Sequence, residues 1–225
     1  MKRILFALVR VLASLGAAPP AQAAVPPGGH VPGTAENLTL VGHSPLAGRG
    51  LNAAPAIYGR YVYVGNRTDG SSRCGVGDPR RDTTGLDSCP HVRPGVLVVD
   101  TADPANPQIV GEFGTDFVTG ANAGQTSREL RVWPERGLLA IMYFRCSTAI
   151  HACPPSADVW SIQFFDIAAD PVDPPPVATY VPSRKPHEMF LWTDPRDPAR
   201  ALLYLSTPTS SVDPNRVLHE YEQAA

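Results

Sequence analysis

A unit of about 65 residues occurs twice in this chain and opens a third time before residue 225. The first copy runs from Tyr61-Val62-Tyr63-Val64 through a cysteine-bearing insert to Gly95-Val96-Leu97-Val98-Val99-Asp100. The second runs from Leu138-Leu139-Ala140-Ile141-Met142-Tyr143 through another such insert to Ile162-Gln163-Phe164-Phe165-Asp166. The third begins with Ala201-Leu202-Leu203-Tyr204-Leu205-Ser206 and stops where its insert is due. A strand-rich unit cannot bury its own apolar faces, so copies of it must stack. Several runs are apolar at successive positions instead of alternating, as expected where both faces of a strand are covered.

Four strands are predicted per unit. The innermost is Ala54–Tyr58 in the first copy, Glu129–Trp133 in the second and Glu188–Trp192 in the third. The second and third strands are the runs quoted above. An Asp/Pro-rich turn follows, Asp103–Pro107 or Asp170–Pro174, and then an outer strand, Gln108–Phe113 or Pro176–Tyr180. Prolines beside the outer strands fit an edge position, where a missing N–H costs little. Asn37–Gly42 has the make-up of an outer strand with no unit in front of it, and the tail Val212–Glu220 falls where the earlier copies carry inserts. The 25 prolines and 19 glycines break the chain too often for long helices. The fold class is therefore all-β: four-stranded antiparallel blades, about two and a half of them, forming a partial β-propeller.

The first 23 residues are set apart from this pattern. Lys2 and Arg3 precede an apolar run from Ile4 to Leu15, and Ala21-Gln22-Ala23 offers a small-residue cleavage site. That order is the signature of a secretory signal peptide, and its apolar part is too short to span a bilayer. The organisation expected is a signal peptide at 1–23, a linker at 24–36 and an incomplete propeller domain at 37–225. Cleavage near Ala23 removes three basic residues and shifts the net charge from −2 to about −5, with no clustered basic face for a nucleic acid. No second apolar stretch reaches membrane-spanning length. Secretion, or display at the cell surface, is the expected localisation. Of the three pairings that four cysteines allow, the parallel placement of the inserts selects Cys74–Cys89 and Cys146–Cys153. The competing metal site, Cys146 with His151 and Cys153, has no common zinc spacing.

The stretches Gly95–Pro107 and Ile162–Asp170 resemble the LVIVD-repeat β-propellers of exported bacterial proteins, in which an apolar strand ends at an Asp, a short Asp/Pro turn follows, and a further strand ends near Val-Gly. The resemblance covers roughly residues 37 to 225 and departs from the pattern in the length of the inserts. It implies a fold and a location but no reaction. It also implies a truncated copy, whose open blade edges invite self-association.

Candidate chemistry sits at the heads of the innermost strands. Arg128-Glu129 in the second copy matches His187-Glu188 in the third within one position when the two are aligned on Trp133 and Trp192. If those heads line a channel, the catalytic candidates are Glu129, His187 and Glu188, and the metal-ligating candidates His187 and Glu188. The competing reading is structural, with Arg128 paired to Glu188 across blades. His187-Glu188 is no zinc-protease motif, because Leu191 stands where a second His is needed. No nucleophile elbow and no phosphate-cradling glycine loop occurs. The Asp/Pro turns match no calcium loop, and Asn37-Leu38-Thr39 and Asn66-Arg67-Thr68 are glycosylation sequons by pattern only. No cofactor is called for. The function expected is a binding or scaffolding module for a protein or cell-surface ligand, and the alternative is an enzyme with a metal or carboxylate site in the channel.

Mass spectrometry of the exported protein is expected to find Ala24 or a close neighbour at its N-terminus. Non-reducing peptide maps are expected to show the two local disulfides. A Cys89–Cys146 bridge would overturn the parallel-insert argument.

Overall fold

The computed structural model describes residues 37–49, 52–67, 93–145, 159–208 and 217–224. The expected signal segment, the linker and all four cysteines lie outside these residues. Chain contacts divide the protein at residue 39, and every strand belongs to the unit beginning at Leu40.

The fold is all-β. Strands β1 (Asn52–Tyr58), β2 (Tyr61–Asn66), β3 (Val96–Asp100) and β4 (Gln108–Phe113) form one antiparallel meander. Strands β5 (Gln125–Trp133), β6 (Leu138–Arg145), β7 (Trp160–Asp166) and β8 (Pro176–Tyr180) form a second. A third sheet holds β9 (Glu188–Thr193), β10 (Ala201–Pro208) and β11 (Val217–Ala224). The first two meanders join into one eight-stranded sheet through a single residue pair, Asn66 with Ser127, and that sheet does not close on itself. The only helical pieces among the described residues are three-residue 3-10 turns.

Local sequence explains the connections. Gly59, at φ +58°, starts the two-residue turn between Tyr58 and Tyr61, a position that disfavours any side chain. The Asp residues of the turns satisfy their own backbone: Asp103 Oδ1 accepts from Ala105 N at 3.0 Å, and Asp170 Oδ1 from Val172 N at 2.8 Å and Asp173 N at 3.0 Å. Asp100 and Asp166, at the ends of β3 and β7, likewise accept from the amide two residues on. These are Asx turns, and their carboxylates are spent locally.

The core lies between sheets. Along β6 the side chains alternate faces, as strand geometry requires. Leu139, Ile141 and Tyr143 pack with Tyr63, Val96, Val98 and Phe113 of the first meander. Ala140, Met142 and Phe144 pack with Met189, Leu203 and Leu205 of the third sheet. β6 is thus covered on both faces, the expected cause of its unbroken apolar run. Full burial of each such large side chain stabilises by roughly 1.5–3 kcal/mol. Phe113 and Phe165 meet edge to face at 5.0 Å. Close approach of the two meanders also depends on Gly65, where a Cβ would lie 2.6 Å from the Leu130 side chain.

The edge strands are shaped against further pairing. β4 and β8 end the strand path, as their prolines predict. Each carries a bulge, at Val110 and at Val177, both of them exposed. Bulges twist an edge away from a second chain.

Two expectations are corrected. Asn37–Gly42 is not a strand: no ladder pairs with it among the described residues, and Leu38, Leu40 and Val41 are 78%, 73% and 62% exposed. Composition alone cannot make a strand where no edge is offered for pairing. The tail read as an insert, Val212–Glu220, runs into a strand at Val217: β11 pairs with β10 along its whole length, from Ala201–Ala224 to Pro208–Val217, while residues 212–216 lie outside the described residues.

Burial pushes the phenols of Tyr63 and Tyr143 well above the usual tyrosine range. The Tyr63 hydroxyl donates to Pro171 O at 2.9 Å, whereas the Tyr143 hydroxyl has no partner among the described residues. A pKa raised on folding gives stability that is intact below the ordinary phenol value of about 10 and is lost as pH rises through the folded value. Tyr143→Phe removes both the unpaired hydroxyl and that loss. We expect it to raise stability by about 1 kcal/mol at neutral pH, and to shrink the alkaline loss relative to wild type. Urea unfolding at pH 7 and pH 11 checks both.

Candidate functional site

The heads of β1 and β9 meet the middle of β5: Arg128 and Glu129, expected at a strand head, are its fourth and fifth residues. Asn52 opens β1 opposite Asn66, Gln125 opens β5 opposite Arg145, and Glu188 opens β9 opposite Ser206. β1 lies against β5, and β5 against β9. Between them is a pocket of about 220 Å³ lined by Asn52, Ala53, Ala54, Arg67, Arg128, Glu129 and Glu188.

Two bulges build its walls. In β1 the register slips between Asn52 and Pro55, so Ala53 and Ala54 together face one residue of β2. In β5 it slips between Ser127 and Glu129, which leaves Arg128 as the extra residue. A bulge bends the strand and re-aims the side chain at that point. The Arg128 guanidinium stacks on Phe144 at 4.7 Å from the ring centroid, and Lys185 Nζ lies 5.7 Å from the same ring. Burial, followed by the neighbouring charge of Arg67, brings the pKa of Arg128 down, against the opposing pull of Glu129 and Glu188.

Each carboxylate of the pocket has a basic neighbour. Glu129 Oε2 is 2.9 Å from Arg131 Nη2 on its own strand. Glu188 Oε1 is 3.7 Å from His187 Nδ1, with both side chains more than half exposed, a contact worth little in water. His187 does not line the pocket; its backbone N–H donates to Ser206 O at 2.7 Å. Among the described residues no three His, Cys, Asp or Glu side chains gather as a metal site would require. Glu129 and Glu188 therefore share the pocket, while His187 stands outside it. The alternative Cys146–His151–Cys153 grouping lies outside the described residues.

Asn52 and Arg67 were not legible as site residues. Arg67 was visible only as the middle of a glycosylation sequon. Asn52 acquires its place through Arg49, which no motif marks. Arg49 is 4% exposed and uses its whole donor fork. Nε donates to Asn52 Oδ1 at 2.9 Å, Nη1 to Arg93 O at 3.0 Å and Gly95 O at 2.6 Å, and Nη2 to Val64 O at 2.6 Å and Gly65 O at 2.9 Å. It ties the end of β2 to the approach to β3 and orients Asn52 at the pocket. Burial brings its pKa down to about 10, the charge of Glu112 partly opposing.

No protein-family model matches this chain, and no curated protein matches it either.

Arg49→Met would strand four backbone carbonyls in the interior. A loss of about 3 kcal/mol is expected, with little recovery in Arg49→Lys, because an ammonium cannot span the five acceptors. Denaturant midpoints of the two variants check this.

Proposed function

We propose that this protein is an exported binding module of β-propeller type, related to the LVIVD-repeat proteins, which recognises a protein or cell-surface ligand at the pocket where its innermost strands meet. The observation that carries this reading is the place of the pocket. β2 ends at Asn66, opposite Asn52, and both Asn52 and Arg67 line the pocket, so the long connection from β2 to β3 starts beside it. Loops carried by a rigid scaffold beside a pocket are the usual arrangement for recognition. The sheets that stack face to face, with β1, β5 and β9 side by side, support the propeller reading, since blades around an axis bring their innermost strands together.

Binding fits the geometry better than catalysis at Glu129, His187 and Glu188. Glu129 is paired with Arg131 at 2.9 Å, and His187 stands outside the pocket that the two carboxylates line.

Purified mature protein is expected to co-sediment saturably with bacterial cell envelopes at physiological salt. It is also expected to retain no stoichiometric Zn, Mn or Fe after dialysis against each metal. Uptake that stays linear with concentration would sink the binding reading. One equivalent of metal, lost in His187→Ala, would replace it with the metalloenzyme alternative.

A further inference from the structure

The pocket has a charge imbalance that the fold does not correct. Glu129 is held by Arg131, which leaves Arg67 and Arg128 facing the pocket with Glu188 at its side. Among the described residues no carboxylate lies within salt-bridge distance of either Arg67 or Arg128. The two guanidinium groups, one of them stacked on an aromatic ring, repel each other while Glu129 and Glu188 pull the other way, and with Glu129 shared with Arg131 an added anion relieves the repulsion. Arg presents a rigid fork that matches a planar carboxylate with two parallel hydrogen bonds.

We propose that Arg67 and Arg128 form the anion-binding wall of a site for a small organic carboxylate, with Asn52 as a third donor. The inference deepens the binding-module reading and rests on it.

Three features of the pocket are built in place. Arg128 is the bulge residue of β5, so the strand itself turns it out of the regular ladder. Phe144, 3% exposed, fixes the plane on which the guanidinium lies. Arg49 occupies Asn52 Oδ1 and so leaves the Asn52 amide nitrogen to donate. The second bulge places only Ala53 and Ala54 on the β1 wall, which keeps about 220 Å³ open, room for a ligand of a few carbons. Glu188 adds discrimination: its charge repels a second carboxylate placed on that side and favours a ligand whose other end is neutral or cationic. Glycine and γ-aminobutyrate meet that pattern better than succinate does.

Isothermal titration of the leader-free protein with γ-aminobutyrate, acetate, succinate, inorganic phosphate and putrescine tests the assignment. The expected order places γ-aminobutyrate first and putrescine without binding. Arg128→Met and Arg67→Met, each confirmed as folded by its melting curve, are expected to weaken carboxylate binding at least tenfold. Arg128→Lys is expected to recover only part of it, since it keeps the charge and loses the fork. Absence of carboxylate binding by the wild type at 20 mM (a concentration on the order of weak-site affinities), tighter binding of phosphate than of any carboxylate, or binding untouched by both Met variants would each overturn the inference. Envelope co-sedimentation separates the two levels. If it persists while every carboxylate fails, the pocket inference falls and the binding-module reading stands. If it fails while γ-aminobutyrate binds, the reverse holds.

Discussion

Strand β6 has no solvent face, and most of the molecule follows from that. A strand that reads Leu139-Ala140-Ile141-Met142-Tyr143-Phe144 is apolar on both sides, because successive side chains point to opposite faces. Such a strand is stable only between two other sheets. Its odd-numbered side chains meet the first meander and its even-numbered ones the third sheet, so β6 is a shared wall of two cores. On the far face of the first meander Val64, Leu97 and Val99 form a smaller buried cluster, with Leu46, Val62 and Ile109 packed against it. On β9 and β10 the far face shows Phe190, 59% exposed and tilted against Tyr204.

Stacking also fixes where the strand heads fall. Once β6 is registered with both neighbours, β1, β5 and β9 are brought side by side, and Asn52 and Glu188 at the heads of β1 and β9 meet Arg128 and Glu129 of β5 at one pocket. That pocket is where regular pairing is broken. The bulges of β1 and β5 remove ladder contacts and open space, and beside the β1 bulge Arg49 donates to four backbone carbonyls, of Val64, Gly65, Arg93 and Gly95, and to the Asn52 side chain. The trade is the one expected near a recognition site: local irregularity, held by a buried polar anchor, on a scaffold that is otherwise continuous strand. The outer strands use bulges differently, at Val110 and Val177, to spoil edges that would otherwise pair with another chain.

Strand content and order were legible because they depend on local pattern. Apolar runs of strand length, glycine and proline punctuation, and Asp-headed turns are each decided within a few residues. Outer strands Gln108–Phe113 and Pro176–Tyr180 have the bounds the sequence indicates. What failed did so for a non-local reason. Asn37–Gly42 has strand composition but no edge to join, and β11 is polar enough to read as loop yet finds the free edge of β10. Pairing is a property of two segments, and only one of them is visible at a time in a sequence.

The candidate site divides along the same line. Glu129 and Glu188 could be named in advance, since equivalent places in stacked units end up near one another. His187, adjacent in sequence, turns out of the pocket. Arg67, Asn52 and Arg49 carry no signal, because their roles come from a register slip and from carbonyls supplied by Val64, Gly65, Arg93 and Gly95. The sequence by itself determined an all-β chain of short strands with two-sided apolar runs, because periodicity and turn chemistry act over a few residues. Tertiary structure alone decided which charges face one another across the pocket, because a one-residue bulge redirects a side chain, and no local pattern records it.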